Sequence, residues 1–402
     1  MSLRLPPDNP AASWPAALRP ASGVVLCTLD NDFVLFSEPQ QRVYQFNATS
    51  ASAWLGVSAG EPPVTIARRI ADEMESTLDE ASDYVAYCLA EWQRLGFLSQ
   101  SPEEPVEPAF GSDDEPFSPL APGDLYCVAG TRIAISFPDV SSKQAWDAIA
   151  GHLRQDATGV PETGLVVEPF EGGYRMVSRS GDQLDFTHPA AVAVSLKEAV
   201  LHKVLERHSD WIALHAAVLS SASGSVLLAG SSGRGKTTLA AMLNALGMPS
   251  VADDVALVAV RPPAIGGLPF AFAAKPGSWD VLRTWFPALD ELPEFQRPDG
   301  RIVKYIRPVR ISEQASTVSA VVFPRFSTVT PLRIAPVRKL TALLSLLEEA
   351  INANRRLTAE GFIALSRMID GAAVIEMEYD DANAAAEWIK MNLAPADHGR
   401  SA

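Results

Sequence analysis

The segment Gly230-Ser231-Ser232-Gly233-Arg234-Gly235-Lys236-Thr237 places glycines, a lysine and a hydroxyl at the spacing G-x-x-x-x-G-K-[ST]. A loop of this kind grips an anion with its own backbone. Glycine reaches backbone angles closed to other residues, so successive N–H groups can turn toward one point. The run before it, SVLLA (225–229), is strand-like. The run after it, KTTLAAMLNAL (236–246), sets Leu239, Leu243 and Leu246 on one helical face, and Gly247 ends that helix. The helix N-terminus adds unpaired donors and the positive end of its dipole. A nucleotide triphosphate is the anion this pattern fits. Gly230 through Thr238 would surround the phosphates, with Lys236 reaching the terminal ones and the Thr237 hydroxyl completing a Mg²⁺ shell. The expected cofactors are ATP and Mg²⁺.

Two further groups flank the loop. His215 stands within WIALHAAVL, ahead of it, and Asp253-Asp254 lie in the apolar run SVADDVALVAV (250–260), behind it. Paired carboxylates in such a run are costly unless a cation or hydrogen bonds satisfy them. One carboxylate can hold the metal while the other accepts the proton of an attacking hydroxyl. The plain alternative for the pair is a turn between two strands, where Asp is common. For His215 it is a core histidine with its hydrogen bonds made.

The elements that must position these groups belong to a chain of 402 residues, 47% hydrophobic and 20% charged. That is long enough for two or three globular domains. No apolar run reaches the ~18 residues of a membrane span. The Pro-rich stretch 1–22 lacks a secretory core and is expected to be disordered. The three cysteines form no closely spaced pair, which fits a reduced, cytoplasmic setting. A net charge of −15 argues against broad nucleic-acid or anionic-membrane binding, because a phosphate polymer would be repelled over most of the surface.

An acidic, Pro-rich stretch over 100–123 reads as a solvated linker. Upstream, 23–99 reads as a winged-helix-like α+β domain. Strands VVLCTL, FVLFSE and RVYQF come first, then helical patterns in VTIARRIADEM and from Asp79 to Leu95, with Thr77 and Glu80 at capping-box spacing. Downstream, 124–205 reads as a small α/β subdomain without chemistry of its own, and 206–395 as the α/β domain that carries the loop. RKLTALLSLLEEAI, AAVIEMEY and 382–391 read there as a helix, a strand and a terminal helix.

Two resemblances follow. The stretch from Gly23 to Ser99, through its strand order and the Y-x-F-N-x-T stretch at Tyr44–Thr49, resembles the PqqD-like family of peptide-recognition domains. That resemblance implies a ribosomally made precursor peptide whose leader adds beside Arg42–Phe46, against the helix over 79–95. The stretch from Leu214 to Val260 resembles HPr kinase/phosphorylase and the HPr-kinase-related proteins, and over 125–395 this implies a P-loop kinase core. It further implies phosphorylation of a serine hydroxyl, with Asp253 as base aided by His215 and Asp254 at the metal. FAAKPGSWDVL, GRIVKYIRP and VVFPRF look like later regions of that family. They make Lys275 and Lys304, and less so Arg301, candidates for phosphate or acceptor contacts, against the alternative of solvated loop cations. The family's later glycine-rich signature is absent from this sequence. Related proteins of lasso-peptide pathways point to a precursor peptide as acceptor. A small molecule or a folded carrier, and a nucleotide-dependent binding module without transfer, stay open. Family members are hexameric, which implies homo-oligomerisation.

Overall fold

The computed structural model describes residues 18–99, 123–156, 159–177, 183–261, 263–297, 300–313, 316–351 and 356–394. The expected linker, apart from Gly123, and the first part of the N-terminal tail lie outside these. The chain divides into two compact units: residues up to 113 together with Arg356–Ser366, and the remainder. Among the described residues no helix is long and apolar enough to cross a membrane.

In the first unit, β1 (Arg19–Pro20) precedes a three-stranded antiparallel sheet of β2 (Val24–Leu29), β3 (Asp32–Ser37) and β4 (Arg42–Phe46). Leu29 pairs with Asp32, so the chain reverses over two residues, and Asp30 takes the left-handed angle (φ 52°) that such a turn needs. Three helices follow, α1 (Ala48–Ser58), α2 (Pro63–Met74) and α3 (Leu78–Arg94), and then β5 (Leu98–Ser99). Thr77 and Glu80 form the expected capping box at the start of α3. The apolar faces of these helices close over Leu35, with Trp54, Ile70, Val85 and Trp92 among the buried residues. The tail from residue 18 to 22 is not the disordered segment that was expected. Arg19 and Pro20 pair with Ser99 and Leu98, which satisfies backbone groups at both ends of the unit. In Arg356–Ser366, Phe362 stacks on Phe36 at 4.7 Å and the Ala359 N–H donates to the Glu38 carboxylate at 2.7 Å.

The second unit opens with a six-stranded sheet of order β11-β10-β9-β7-β6-β8. Its strands are β6 (Asp124–Val128), β7 (Thr131–Ser136), β8 (Arg154–Gln155), β9 (Thr163–Phe170), β10 (Gly173–Val177) and β11 (Gln183–Phe186). Two helices accompany it, α4 (Val140–Ala150) and the long α5 (Pro189–Arg207). The expected boundary near 205 does not separate two cores. Tyr126, Trp146, Leu196 and Val204 share one hydrophobic cluster with Leu257, Phe270 and Tyr305. α5, which the sequence reading does not contain, supplies much of that cluster.

The rest of the unit carries the loop. β12 (Ile212–Leu214), β13 (Ala217–Ser221), β14 (Gly224–Leu228), α6 (Lys236–Ala245), β15 (Ser250–Ala252), β16 (Ala256–Ala259), β17 (Ala264–Gly267) and β18 (Phe272–Ala274) follow in turn. Next come α7 (Trp279–Arg283), β19 (Glu294–Gln296), β20 (Ile302–Ile306), β21 (Val318–Phe326), β22 (Arg333–Pro336) and α8 (Lys339–Glu348). After α9 (Ala359–Asp370), whose first part belongs to the first unit, the last described elements are β23 (Ala373–Tyr379) and α10 (Ala382–Leu393). The principal sheet has the order β15-β13-β14-β21-β23-β22. Its centre is parallel (β14, β21, β23) and its flanks are antiparallel. The fold is mixed α/β.

Candidate functional site

Parallel strands send their carboxyl ends to one edge, and open α/β sheets bind ligands just beyond it. Here β14 runs into the glycine loop, β21 ends at Phe326, and β23 ends at Tyr379 followed by Asp380 and Asp381. The antiparallel flank adds the remaining groups. Ala217 lies opposite Leu228, and Val218 opposite Ala252, so residues just before β13 and just after β15 reach the same edge as the loop.

Both flanking motifs sit at breaks in the chain. His215 falls between β12 and β13, and Asp253-Asp254 fall between β15 and β16, not within single strands. β12 and β16 have left the principal sheet to pair with each other, Leu214 opposite Ala256. Two neighbouring segments therefore swerve together from one sheet into another, and His215 and the acids occupy the paired bends. Their side chains meet there: His215 Nδ1 is 3.3 Å from Asp254 Oδ1.

The glycine loop has the conformation its composition suggests. Gly230, Gly233 and Gly235 all have positive φ (118°, 88° and 100°). Lys236 is buried at the start of α6, and its Nζ donates back to the Gly230 carbonyl and, at 3.3 Å, to the Ser231 carbonyl. Burial lowers the Lys236 pKa. Ser232, Gly233, Gly235, Lys236, Thr237 and Thr238 line a cavity of about 940 Å³, whereas Gly230, Ser231 and Arg234 do not. Arg234 Nε instead points to Ser231 Oγ at 3.4 Å.

A Cβ on Gly235 would lie 2.3 Å from the Tyr379 hydroxyl oxygen, while one on Gly233 would meet nothing within 4 Å. Gly235→Ala is therefore expected to displace the loop and reduce nucleotide affinity by at least ~10²-fold. Gly233→Ala should show only the smaller cost of a positive φ, of order 1–2 kcal/mol. Calorimetric titration of both variants with ATP–magnesium, with circular dichroism to confirm folding, checks the contrast.

The two aspartates have opposite environments. Asp253 is only 2% exposed and does not line the cavity. Its Oδ2 accepts from the Ala273 N–H at 3.1 Å, and its Oδ1 is buried with no hydrogen-bond partner. Burial, and then the adjacent Asp254 charge, raise its pKa, while Lys197, the Ala273 amide and the Thr237 hydroxyl oppose the rise. Asp254 faces the cavity with its side chain 27% exposed. Burial pushes its pKa up, but Lys197 first, then His215 and Arg297, outweigh that and hold it below the ordinary value. Burial also lowers the His215 pKa against the pull of Asp254, which favours the neutral ring.

The expected cations divide differently from their sequence ranking. Lys275 Nζ donates to Ser232 Oγ at 3.0 Å and Arg301 Nη1 to the same oxygen at 3.3 Å, and both line the cavity. Lys304 does not. It is 5% exposed, donates to the carbonyls of Leu289 and Asp290 at 3.2 and 3.1 Å, and lies 4.9 Å from the Trp279 ring centroid. Its place in β20, antiparallel to β18 and β19, turns it inward as a structural cation. Residues the sequence did not single out also join the site, among them Arg297, Asp380 and Asp381, which line the cavity, and Lys197 of α5, whose Nζ is 3.3 Å from Asp254 Oδ2.

These residues fit a nucleotide with a divalent cation. The loop offers three glycines with positive φ and a buried lysine at the start of α6, and Asp253 Oδ1 is buried with no hydrogen-bond partner among the described residues. Among the described residues no group of three or more His, Cys, Asp or Glu is placed to hold a metal alone. A Mg²⁺ ion would then depend on phosphate oxygens and water for most of its shell, as this ion commonly does.

No family model matches the chain, and no curated protein matches it. Among solved structures it is similar to a lasso peptide synthetase B1 complexed with its leader peptide, at 20% identity and TM-score 0.20. It is likewise similar to TbiB1 in complex with the TbiA(beta) leader peptide, at 16% identity and TM-score 0.20. Each match covers 21% of this chain and 99% of the other.

Proposed function

We propose that the protein is an ATP- and Mg²⁺-dependent kinase that phosphorylates a serine hydroxyl on a ribosomally made precursor peptide. The observation that carries the transfer is geometric: Asp254 lines the same cavity as the glycine loop and Lys236, with His215 Nδ1 3.3 Å from its carboxylate, while Asp253 is buried behind it. Two carboxylates with separated environments can take two roles. Geometry decides which is which, ahead of pKa. Asp254 faces the cavity next to His215, so it receives the acceptor's proton. As it does so, the acceptor oxygen bonds to the γ-phosphorus and the bond to the bridging oxygen breaks, releasing ADP. Asp253, buried and outside the cavity lining, would act on the metal side through the Thr237 hydroxyl, which does line the cavity. This exchanges the roles expected from sequence, because a wholly buried Asp253 cannot reach an acceptor in the cavity. Mg²⁺, when bound, neutralises phosphate charge. Lys236, Lys275 and Arg301 extend that neutralisation along the cavity.

The peptide half of the proposal rests on the first unit. Among the described residues β4 pairs only with β3, so its outer edge is open to an added strand. Covalent tethering to the kinase unit raises the local concentration of whatever binds there, so weak leader binding suffices.

Transfer of labelled γ-phosphate from ATP to the Ser-bearing peptide encoded nearest this gene tests both halves. An excess of the isolated leader should slow transfer to the full precursor and leave transfer to a leaderless peptide unchanged. Labelling of a folded carrier alone would move the acceptor assignment away from peptides, and no labelling of any hydroxyl would end the kinase reading. Deleting residues 1–99 is a poor substitute, since Phe362 would lose the ring of Phe36 that covers it.

A further inference from the structure

Lys197 lies in the middle of α5, on an apolar face with Ala193, Val200 and Val204, all fully buried. Its side chain is 11% exposed, and its ammonium sits 5.6 Å from the Phe270 ring centroid and 5.9 Å from that of Tyr305. Aromatic faces on this scale hold a desolvated cation in place. Its nearest opposite charge is Asp254 Oδ2, at 3.3 Å, while Asp254 Oδ1 lies 3.3 Å from His215 Nδ1. Both oxygens of one carboxylate are thus fixed from separate elements, one by α5 and the other by the bend between β12 and β13.

For stability alone this lysine is an expensive choice. Replacing a buried ion pair by apolar residues of similar volume is often neutral or stabilising, and the surroundings of α5 would accommodate one. What an apolar residue could not do is orient Asp254. We propose that Lys197 is a positioning residue for phosphoryl transfer: it clamps one oxygen of Asp254 so that the other is held beside His215 and toward the acceptor. This inference rests on the kinase reading. It assigns a catalytic support to the layer of the fold that the sequence left without chemistry.

The test combines stability, binding and turnover in the full chain. Lys197→Met should lower the urea-denaturation midpoint by leaving Asp254 uncompensated, and Asp254→Asn in the same chain should recover part of that loss. Phosphate release from ATP with magnesium, with water as acceptor, should fall by ~10- to 10²-fold in kcat, the scale of a misplaced catalytic group. KM for ATP and the calorimetric affinity for ATP–magnesium should stay within about threefold, since the lysine touches neither the loop nor Thr237. Lys197→Arg should restore most of the turnover. Unchanged kcat in Lys197→Met, or the absence of any coupling to Asp254, overturns the proposal. A parallel fall in affinity and kcat that Arg fails to rescue also overturns it, by marking the lysine as purely structural. Coupling in a wild-type chain that binds no nucleotide and releases no phosphate identifies the kinase reading as the part that failed, and the positioning role falls with it.

Discussion

Asp254→Asn is expected to bind ATP–magnesium within a few-fold of wild type and to lose ~10²- to 10⁴-fold in phosphoryl transfer, the range for removal of a positioned general base. The expectation comes from access. Asp254 borders the cavity, lies 3.3 Å from His215, and is held ionised chiefly by Lys197. An amide of the same shape keeps the bend between β15 and β16 but cannot take a proton. Asp253→Asn should behave in the opposite sense. Its carboxylate accepts from Ala273 N–H and adjoins Thr237, so the substitution should weaken magnesium-dependent nucleotide affinity and leave magnesium-free binding little changed. Titrations with and without magnesium, beside single-turnover transfer, separate the two. If Asp253→Asn retained nucleotide and lost turnover while Asp254→Asn remained active, the roles would return to the order expected from sequence.

The parts of the fold and of the site that could be read from sequence are those in which local chemistry and local structure coincide. The glycine loop is one, because its glycines demand positive φ and its lysine opens a helix whose leucines repeat along one face. The capping box at Thr77 is another, because both partners lie within a single turn. The bends at His215 and Asp253-Asp254 were legible only in part. A turn between strands was the plain alternative for the acid pair, but only the pairing of β12 with β16, some forty residues apart, shows that both segments change sheets together. Lys197 was hidden for a related reason. A lone lysine in an alanine- and valine-rich stretch has no local partner to mark it, and the fold alone brings the carboxylate, 57 residues later, against it. Lys304 departs in the other direction: the likeness of GRIVKYIRP to a later region of the HPr-kinase-related proteins made it a candidate ligand contact, and the register of β20 buries it against carbonyl oxygens instead. In each case the deciding contact is long-range, which periodicity and spacing cannot register.

Lys236→Ala is the substitution expected to remove nucleotide binding most directly. A charge-assisted hydrogen bond contributes ~1.5–3 kcal/mol, so losing the phosphate contact alone weakens affinity by about tenfold to a hundredfold. The structure adds a second loss. The Lys236 ammonium donates to the Gly230 and Ser231 carbonyls and so ties the loop's entry to the first turn of α6. Alanine leaves both carbonyls without that donor, and the loop must then be ordered by the ligand, at further expense of affinity. Lys236→Arg should fare nearly as badly, although it keeps the charge. The side chain is only 6% exposed, and a planar guanidinium needs more room than a compact ammonium in the same buried space. Calorimetry should therefore place both variants far below wild type, with alanine the weaker, while circular dichroism and the urea midpoint stay close to those of the parent. Wild-type affinity in Lys236→Ala, with the fold intact, would mean that the loop does not hold phosphate at all.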